Sequence, residues 1–158
     1  MSESTYRVVE SYGRQLQVEI DRGNRQLALI KSKKTSALVG DWVKCHDEVG
    51  TLIIDEVCDR HNEFFRQDQI RTKSFAANLD QVLILLGAEP EFSEMQLTRA
   101  LIAAEAAHIT PLIALNKSDL SEAFARALAR LAPYTTMGYT VLQTAFKPGN
   151  LADLPQRL

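Results

Sequence analysis

Pro111-Leu112-Ile113-Ala114-Leu115 is a short apolar run that passes without a break into Asn116-Lys117-Ser118-Asp119. An apolar run of this length, bounded by polar turn residues, suits a strand buried on both faces of a parallel sheet. Ser121 follows as the expected cap of a helix over 122–132. The four polar residues therefore sit at the carboxyl end of a strand, where open α/β sheets bind ligands. Their chemistry suits one base. An ionised Asp119 accepts two hydrogen bonds, from guanine N1–H and its exocyclic amine, a donor pair that adenine lacks. The Asn116 amide reaches the purine N7 edge and the neighbouring loops. The Lys117 stem lies along the base. The plain alternative is a polar turn, with Asn116 ending the strand and Ser118 or Asp119 capping the helix.

The pattern repeats on both sides. Val82-Leu83-Ile84-Leu85-Leu86 is a second apolar run, closed by Gly87. Ser93-Glu94-Met95-Gln96 has the form of a capping box, and it predicts a helix to His108 with Met95, Ile102 and Ala106 near one face. A third strand is expected over 139–142, running into Gln143-Thr144-Ala145. The small residue there lets the Ala145 backbone N–H approach guanine O6, with Thr144 beside it. Strand, helix, strand, helix, strand is an α/β unit. A phosphate cradle, G-x-x-x-x-G-K-[ST], does not occur around any of the seven glycines. Asp47-Glu48-Val49-Gly50 matches the D-x-x-G of a nucleotide switch, but it lies between two strand patterns with no apolar strand before it, and it reads as a turn.

The N-terminal part is built differently. Leu16, Val18 and Ile20 alternate with polar residues, the period of a half-buried strand. Asp21-Arg22-Gly23-Asn24 supplies a turn, and Leu27 and Leu29 share a face of the next strand. A polar loop spans 31–35, Gly40-Asp41 punctuates before Trp42-Val43, and 51–55 is again apolar. Short strands at this spacing over about 70 residues predict a five-stranded OB barrel. Trp42 is expected in its core and 67–80 as the linker. The expected domains are 1–72 and 73–158.

Composition sets limits on function. The 158 residues carry a formal charge of -2, with 12 Lys/Arg against 12 Asp/Glu over 1–74 and 6 against 8 beyond. Bulk charge does not mark a nucleic-acid binder. Arg22, Arg25, Lys31, Lys33 and Lys34 nevertheless cluster where OB barrels meet RNA, and they are the candidate RNA contacts; a solvated loop is the alternative. Tyr6, Tyr12 and Trp42 are the nearby aromatic residues. Cys45-His46 and Cys58-x-x-His61 offer zinc-type ligands. Adjacent strand residues point to opposite faces, so no metal site is expected in this chain. There is no signal-peptide pattern and no run long enough to span a bilayer. A cytoplasmic monomer without membrane contact is the expectation.

Gly40-Asp41-Trp42-Val43, Arg60-x-Asn62-x-x-x-Arg66, Ala76-Ala77-Asn78-Leu79-Asp80-Gln81, Pro90-x-Phe92-Ser93 and Asn116-Lys117-Ser118-Asp119-Leu120, with Gly138-Tyr139 and Gly149-Asn150-Leu151, resemble the first part of the RsgA/YjeQ family. These are circularly permuted GTPases dependent on the small ribosomal subunit. The resemblance covers nearly the whole chain. It implies an OB barrel contacting ribosomal RNA, then an incomplete α/β half of a permuted P-loop GTPase that binds GTP or GDP, and a role late in small-subunit maturation. It assigns Asn116, Lys117, Ser118, Asp119, Thr144 and Ala145 to guanine. The family usually has serine where this chain has Thr144. The phosphate loop and Mg²⁺ ligands are expected after Leu158, and zinc only in a further C-terminal domain. No catalytic residue is expected in this chain, and no hydrolysis from it alone. The competing readings are a non-enzymatic OB-fold RNA-binding module and an unrelated α/β nucleotide-binding protein.

Overall fold

The computed structural model describes residues 4–32, 35–67 and 72–145, in two compact units, Met1–Leu79 and Asp80–Leu158. In the first, β1 (Ser4–Tyr12), β2 (Gln15–Asp21), β3 (Asn24–Ile30), β4 (Trp42–Glu48) and β5 (Thr51–Val57) close into a barrel in the order β1-β2-β3-β5-β4. All pairings are antiparallel except β3 with β5, which run parallel. That ordering is the OB topology. Closure follows from alternation. Val8, Leu16, Val18, Ala28, Ile30, Val43, Cys45, Leu52 and Ile54 point inward and form the core. On β3 the inward face is Ala28 and Ile30, while Leu27 is 44% exposed. Asp47–Gly50 is the β4–β5 hairpin turn, with Val49 and Gly50 at positive φ and the Gly50 amide donating to Asp47 Oδ1 at 2.9 Å.

Trp42 departs from expectation. It is 45% exposed, and the Arg7 guanidinium lies 5.9 Å from its ring centroid. The reason is register: β4 buries Val43 and Cys45, so the alternate positions, Trp42 among them, face outward. The stretch 67–80 is likewise no simple linker. β7 (Thr72–Ala77) lies within it and pairs antiparallel with β6 (Glu63–Gln67), which ends where the stretch begins.

A polar cluster joins this hairpin to the barrel. Asp41, fully buried, accepts from Arg60 Nε at 2.7 Å and Nη2 at 2.8 Å, and from the Leu38 amide at 2.7 Å. Asn78, at φ 54, donates from Nδ2 to the Gly40 carbonyl at 3.0 Å and accepts the His61 amide at 3.0 Å. Asn62 donates to the Leu79 carbonyl and accepts its amide. Each buried polar group thereby regains the partners lost from water.

Burial pushes the Cys45 thiol up to about 11 from its ordinary 9.0, with the Asp55 charge adding to the shift. The unfolded chain loses this proton near pH 9 while the folded chain keeps it, so stability should fall as pH rises from 9 toward 11. A loss on the order of 2 kcal/mol is expected. Urea titrations at pH 8.5 and 10.5 measure it, and Cys45→Ala should flatten the dependence.

In the second unit, β8 (Gln81–Gly87), β9 (Thr110–Asn116) and β10 (Thr140–Gln143) form a parallel sheet with β9 central. Helices α1 (Glu94–Ala106) and α2 (Ser121–Thr136) cross between them. The strands step in one direction across the sheet, so two right-handed crossovers place both helices on one face. Leu97, Leu101, Phe124, Ala127 and Leu131 pack there against Ile113 and Leu115. The other face carries Leu83, Leu112, Ala114 and Leu142, plus Leu85 at 57% exposure.

Both helices revise details of the sequence reading. Ser93 caps α1, accepting the Gln96 amide at 3.3 Å, but the packed stripe is Leu97, Leu101 and Ala104; Met95 and Ile102 are 65% and 63% exposed. The cap of α2 is Leu120, with no side-chain cap bond, and Ser121 is the first helical residue. The helix also continues through Pro133 to Thr136. The Thr135 and Thr136 hydroxyls donate to the Leu131 and Ala132 carbonyls at 3.4 and 3.1 Å, and the Met137 amide closes on Pro133 O at 3.0 Å.

Candidate guanine-nucleotide site

The exits of β8, β9 and β10 lie side by side because the strands are parallel and in register, Gly87 beside Asn116 and Gln143 beside Leu115. Leu112, Ile113, Ala114 and Leu115 of β9 are buried, and its last residue, Asn116, is partly buried. The Asn116 carbonyl accepts the Ala88 amide at 3.1 Å. Lys117 turns the chain at φ 70 and sends its ammonium to the Glu89 carbonyl at 2.5 Å. A Cβ on Gly87 would stand 3.0 Å from that same oxygen, so glycine there leaves the loop its path.

The loops after β9 and β10 are tied directly. The Ser118 amide donates to the Thr144 carbonyl at 3.0 Å, and the Thr144 amide donates to Leu115 O at 2.9 Å. Thr144 Oγ1 lies 3.3 Å from both Leu115 O and Asn116 Oδ1. The structure therefore gathers Asn116, Lys117, Ser118, Asp119, Thr144 and Ala145 at one end of the sheet. Lys117, Ser118 and Asp119 are exposed, and Asn116, Thr144 and Ala145 are partly buried. Asn116 ends β9, and the residue at the α2 cap position is Leu120, which makes no side-chain cap bond. Sequence reasoning missed the Glu89 carbonyl. Its only signal was position, two residues past the strand-ending Gly87.

The RNA candidates are scattered in state. Arg25 Nη1 pairs with Glu10 at 2.5 Å, and Lys31 pairs with Glu48. Arg22 sits exposed in the β2–β3 turn, while Lys33 and Lys34 lie outside the described residues. Exposed pairs of this kind contribute little to stability. Cys45 is buried in the barrel, and His46 Nδ1 pairs with Asp55 at 2.7 Å. Among the described residues no group of three or more His, Cys, Asp or Glu could hold a metal ion, and no helix is long and apolar enough to cross a membrane.

A family model described as RsgA GTPase matches residues 57–158. The chain belongs to the RsgA GTPase family. The small ribosomal subunit biogenesis GTPase RsgA of Variovorax paradoxus is 57% identical over 146 residues, 92% of this chain and 46% of the relative. The protein of that name from Ralstonia pickettii is 44% identical over 137 residues, 86% of this chain and 44% of the relative. The crystal structure of YjeQ from Thermotoga maritima matches with a TM-score of 0.73 and 25% identity, over 99% of this chain and 57% of that one. The chain thus spans about half the length of the curated relatives it matches.

Proposed function

We propose that this chain is the barrel and the guanine-reading half of a cytoplasmic GTPase acting in biogenesis of the small ribosomal subunit. One observation carries the reading: the N-K-x-D turn after β9 is hydrogen-bonded through Ser118 to Thr144, so two base-reading loops form one rim. Membership of the RsgA GTPase family supports it, as do the printed names of the relatives. Asp119 would accept the N1–H and amine of the base, Asn116 would meet its N7 edge, Lys117 would lie on its face, and the Ala145 amide would donate to O6. Thr144 would hold Asn116 in place.

The residues present fit the base of GTP or GDP. No G-x-x-x-x-G-K-[ST] occurs in the sequence, so we assign the phosphates, Mg²⁺ and hydrolysis to residues outside it, and no catalytic residue within it. Zinc is assigned only to a further domain of the longer family members. In this reading residues 1–72 contact ribosomal RNA, residues 73–158 read guanine, and the protein acts as a monomer.

Calorimetric titration tests the reading. GDP should bind more tightly than ADP, and Thr144→Val should weaken GDP by ~1 kcal/mol, the contribution of one hydrogen bond. Equal affinity for the two nucleotides would sink the assignment. A second reading, a non-enzymatic RNA-binding module, draws on the outward Trp42 beside Arg7. Salt-dependent RNA binding with no guanine-nucleotide affinity would favour it.

A further inference from the structure

The loop from Ala88 to Ser93 joins β8 to α1, and its Glu89 carbonyl takes the Lys117 ammonium at 2.5 Å. The start of the loop is fixed by β9, because the Ala88 amide donates to Asn116 O at 3.1 Å. Glu89, Pro90 and Glu91 are exposed. A cleft lies between them and α2, lined by Ala88, Glu89 and Glu91 on one side and by Ala123, Arg126 and Ala127 on the other. The far end of the loop meets Arg130 of α2. That guanidinium donates to the Phe92 carbonyl at 3.0 Å and to Glu94 Oε1 at 2.9 Å, and it reaches Glu91 at 3.4 Å. It also lies 4.5 Å from the centroid of the Phe92 ring, which is buried in the core shared by the two helices. Among the described residues, the hydrogen bonds from α2 to this loop all come from Arg130.

We infer that Arg130 is a positioning residue for guanine: it pins the Phe92 end of the loop to α2, and the loop holds the Lys117 side chain through the Glu89 carbonyl. The inference rests on the role proposed above for the turn after β9. An exposed lysine samples many rotamers and gives them up when its stem lies along a base. A carbonyl that holds the ammonium beforehand takes up that ordering before the ligand arrives, so binding loses less freedom. It does so only while the carbonyl itself stays in place. β9 fixes one end of the loop. At the other, Arg130 meets a carbonyl, a carboxylate and a ring face at once, a set that suits a planar guanidinium and not a compact ammonium. The helix that carries Arg130 is also the one the Lys117 turn leads into, so the lysine and the carbonyl that holds it share one anchor.

Two measurements on the whole chain test it. In the chain without nucleotide, a hydrogen-bonded lysine ammonium gives a resolved signal in proton–nitrogen correlation spectra, and the Lys117 signal is assigned by its loss in Lys117→Ala. Arg130→Gln should broaden or shift that signal. In calorimetric titration, Arg130→Gln should weaken GDP by about fivefold, the size of one hydrogen bond. In the Lys117→Ala background the same change should weaken GDP by less than about twofold, because the group it acts through is gone. Equal loss in both backgrounds would mean a general loosening of the fold and would overturn the inference. So would the parent's GDP affinity in Arg130→Gln, a Lys117 signal that does not move, or a parent with no held Lys117 signal. In each of those cases a parent that prefers GDP to ADP leaves the guanine reading standing. A parent without that preference sinks both.

Discussion

Asp119→Asn, made in a protein that carries the complete nucleotide site, is expected to weaken GDP by about 100-fold or more, since each hydrogen bond to a charged acceptor contributes roughly 1.5–3 kcal/mol and two are lost. The same variant should gain xanthosine diphosphate. Xanthine presents a carbonyl where guanine presents its amine, and the asparagine amide supplies a donor to meet it. The exchange tests the role and not merely the presence of the residue, because a structural aspartate would lose both nucleotides alike. Competition of XDP and GDP against a fluorescent guanine nucleotide reads the swap. An unchanged preference for GDP would remove Asp119 from the base, and with it the basis for the guanine rim.

Gly40→Ala is expected to cost the barrel roughly 3 kcal/mol or more, at the upper end of single substitutions. Two effects add. Gly40 sits at φ +92, a conformation that strains any residue with a Cβ, and an added Cβ would fall 2.0 Å from the Ala77 carbonyl oxygen. That oxygen is backbone and cannot rotate away. Moving it would drag Asn78, whose amide side chain bonds the Gly40 carbonyl, and with it the His61 contact. Urea denaturation followed by far-UV circular dichroism measures the loss. A variant within 1 kcal/mol of the parent would mean that the hairpin and the Gly40 corner separate without cost.

The physical content of several motifs became visible only here. In the sequence, Gly40-Asp41, Arg60, Asn62 and Ala77-Asn78 are separate fragments. In the structure they are one polar cluster, joined by bonds such as Arg60 to Asp41 and Asn78 to Gly40. No local pattern announces such a cluster, because its members are brought together by barrel closure. The residues proposed to read guanine were legible for the opposite reason. Asn116 to Asp119 are contiguous, and an apolar strand before them sets their place. Their link to Thr144 and to the Glu89 carbonyl was not legible, since both partners come from other strand exits.

The sequence by itself determined the change from alternating strands to buried runs, the five-stranded barrel, the parallel α/β order and the polar turn after β9, because those follow from periodicity and from local chemistry. Tertiary structure decided which face of each element is inside. Helix α1 has apolar residues on two faces, so Met95-Ile102-Ala106 and Leu97-Leu101-Ala104 are both stripes at helical spacing, nearly opposite each other. Only packing against β8 and β9 chose the second, leaving Met95 and Ile102 exposed. Register with Val43 and Cys45 turned Trp42 outward in the same way. Periodicity states that an element has two faces; which one is buried is a property of the neighbours it meets.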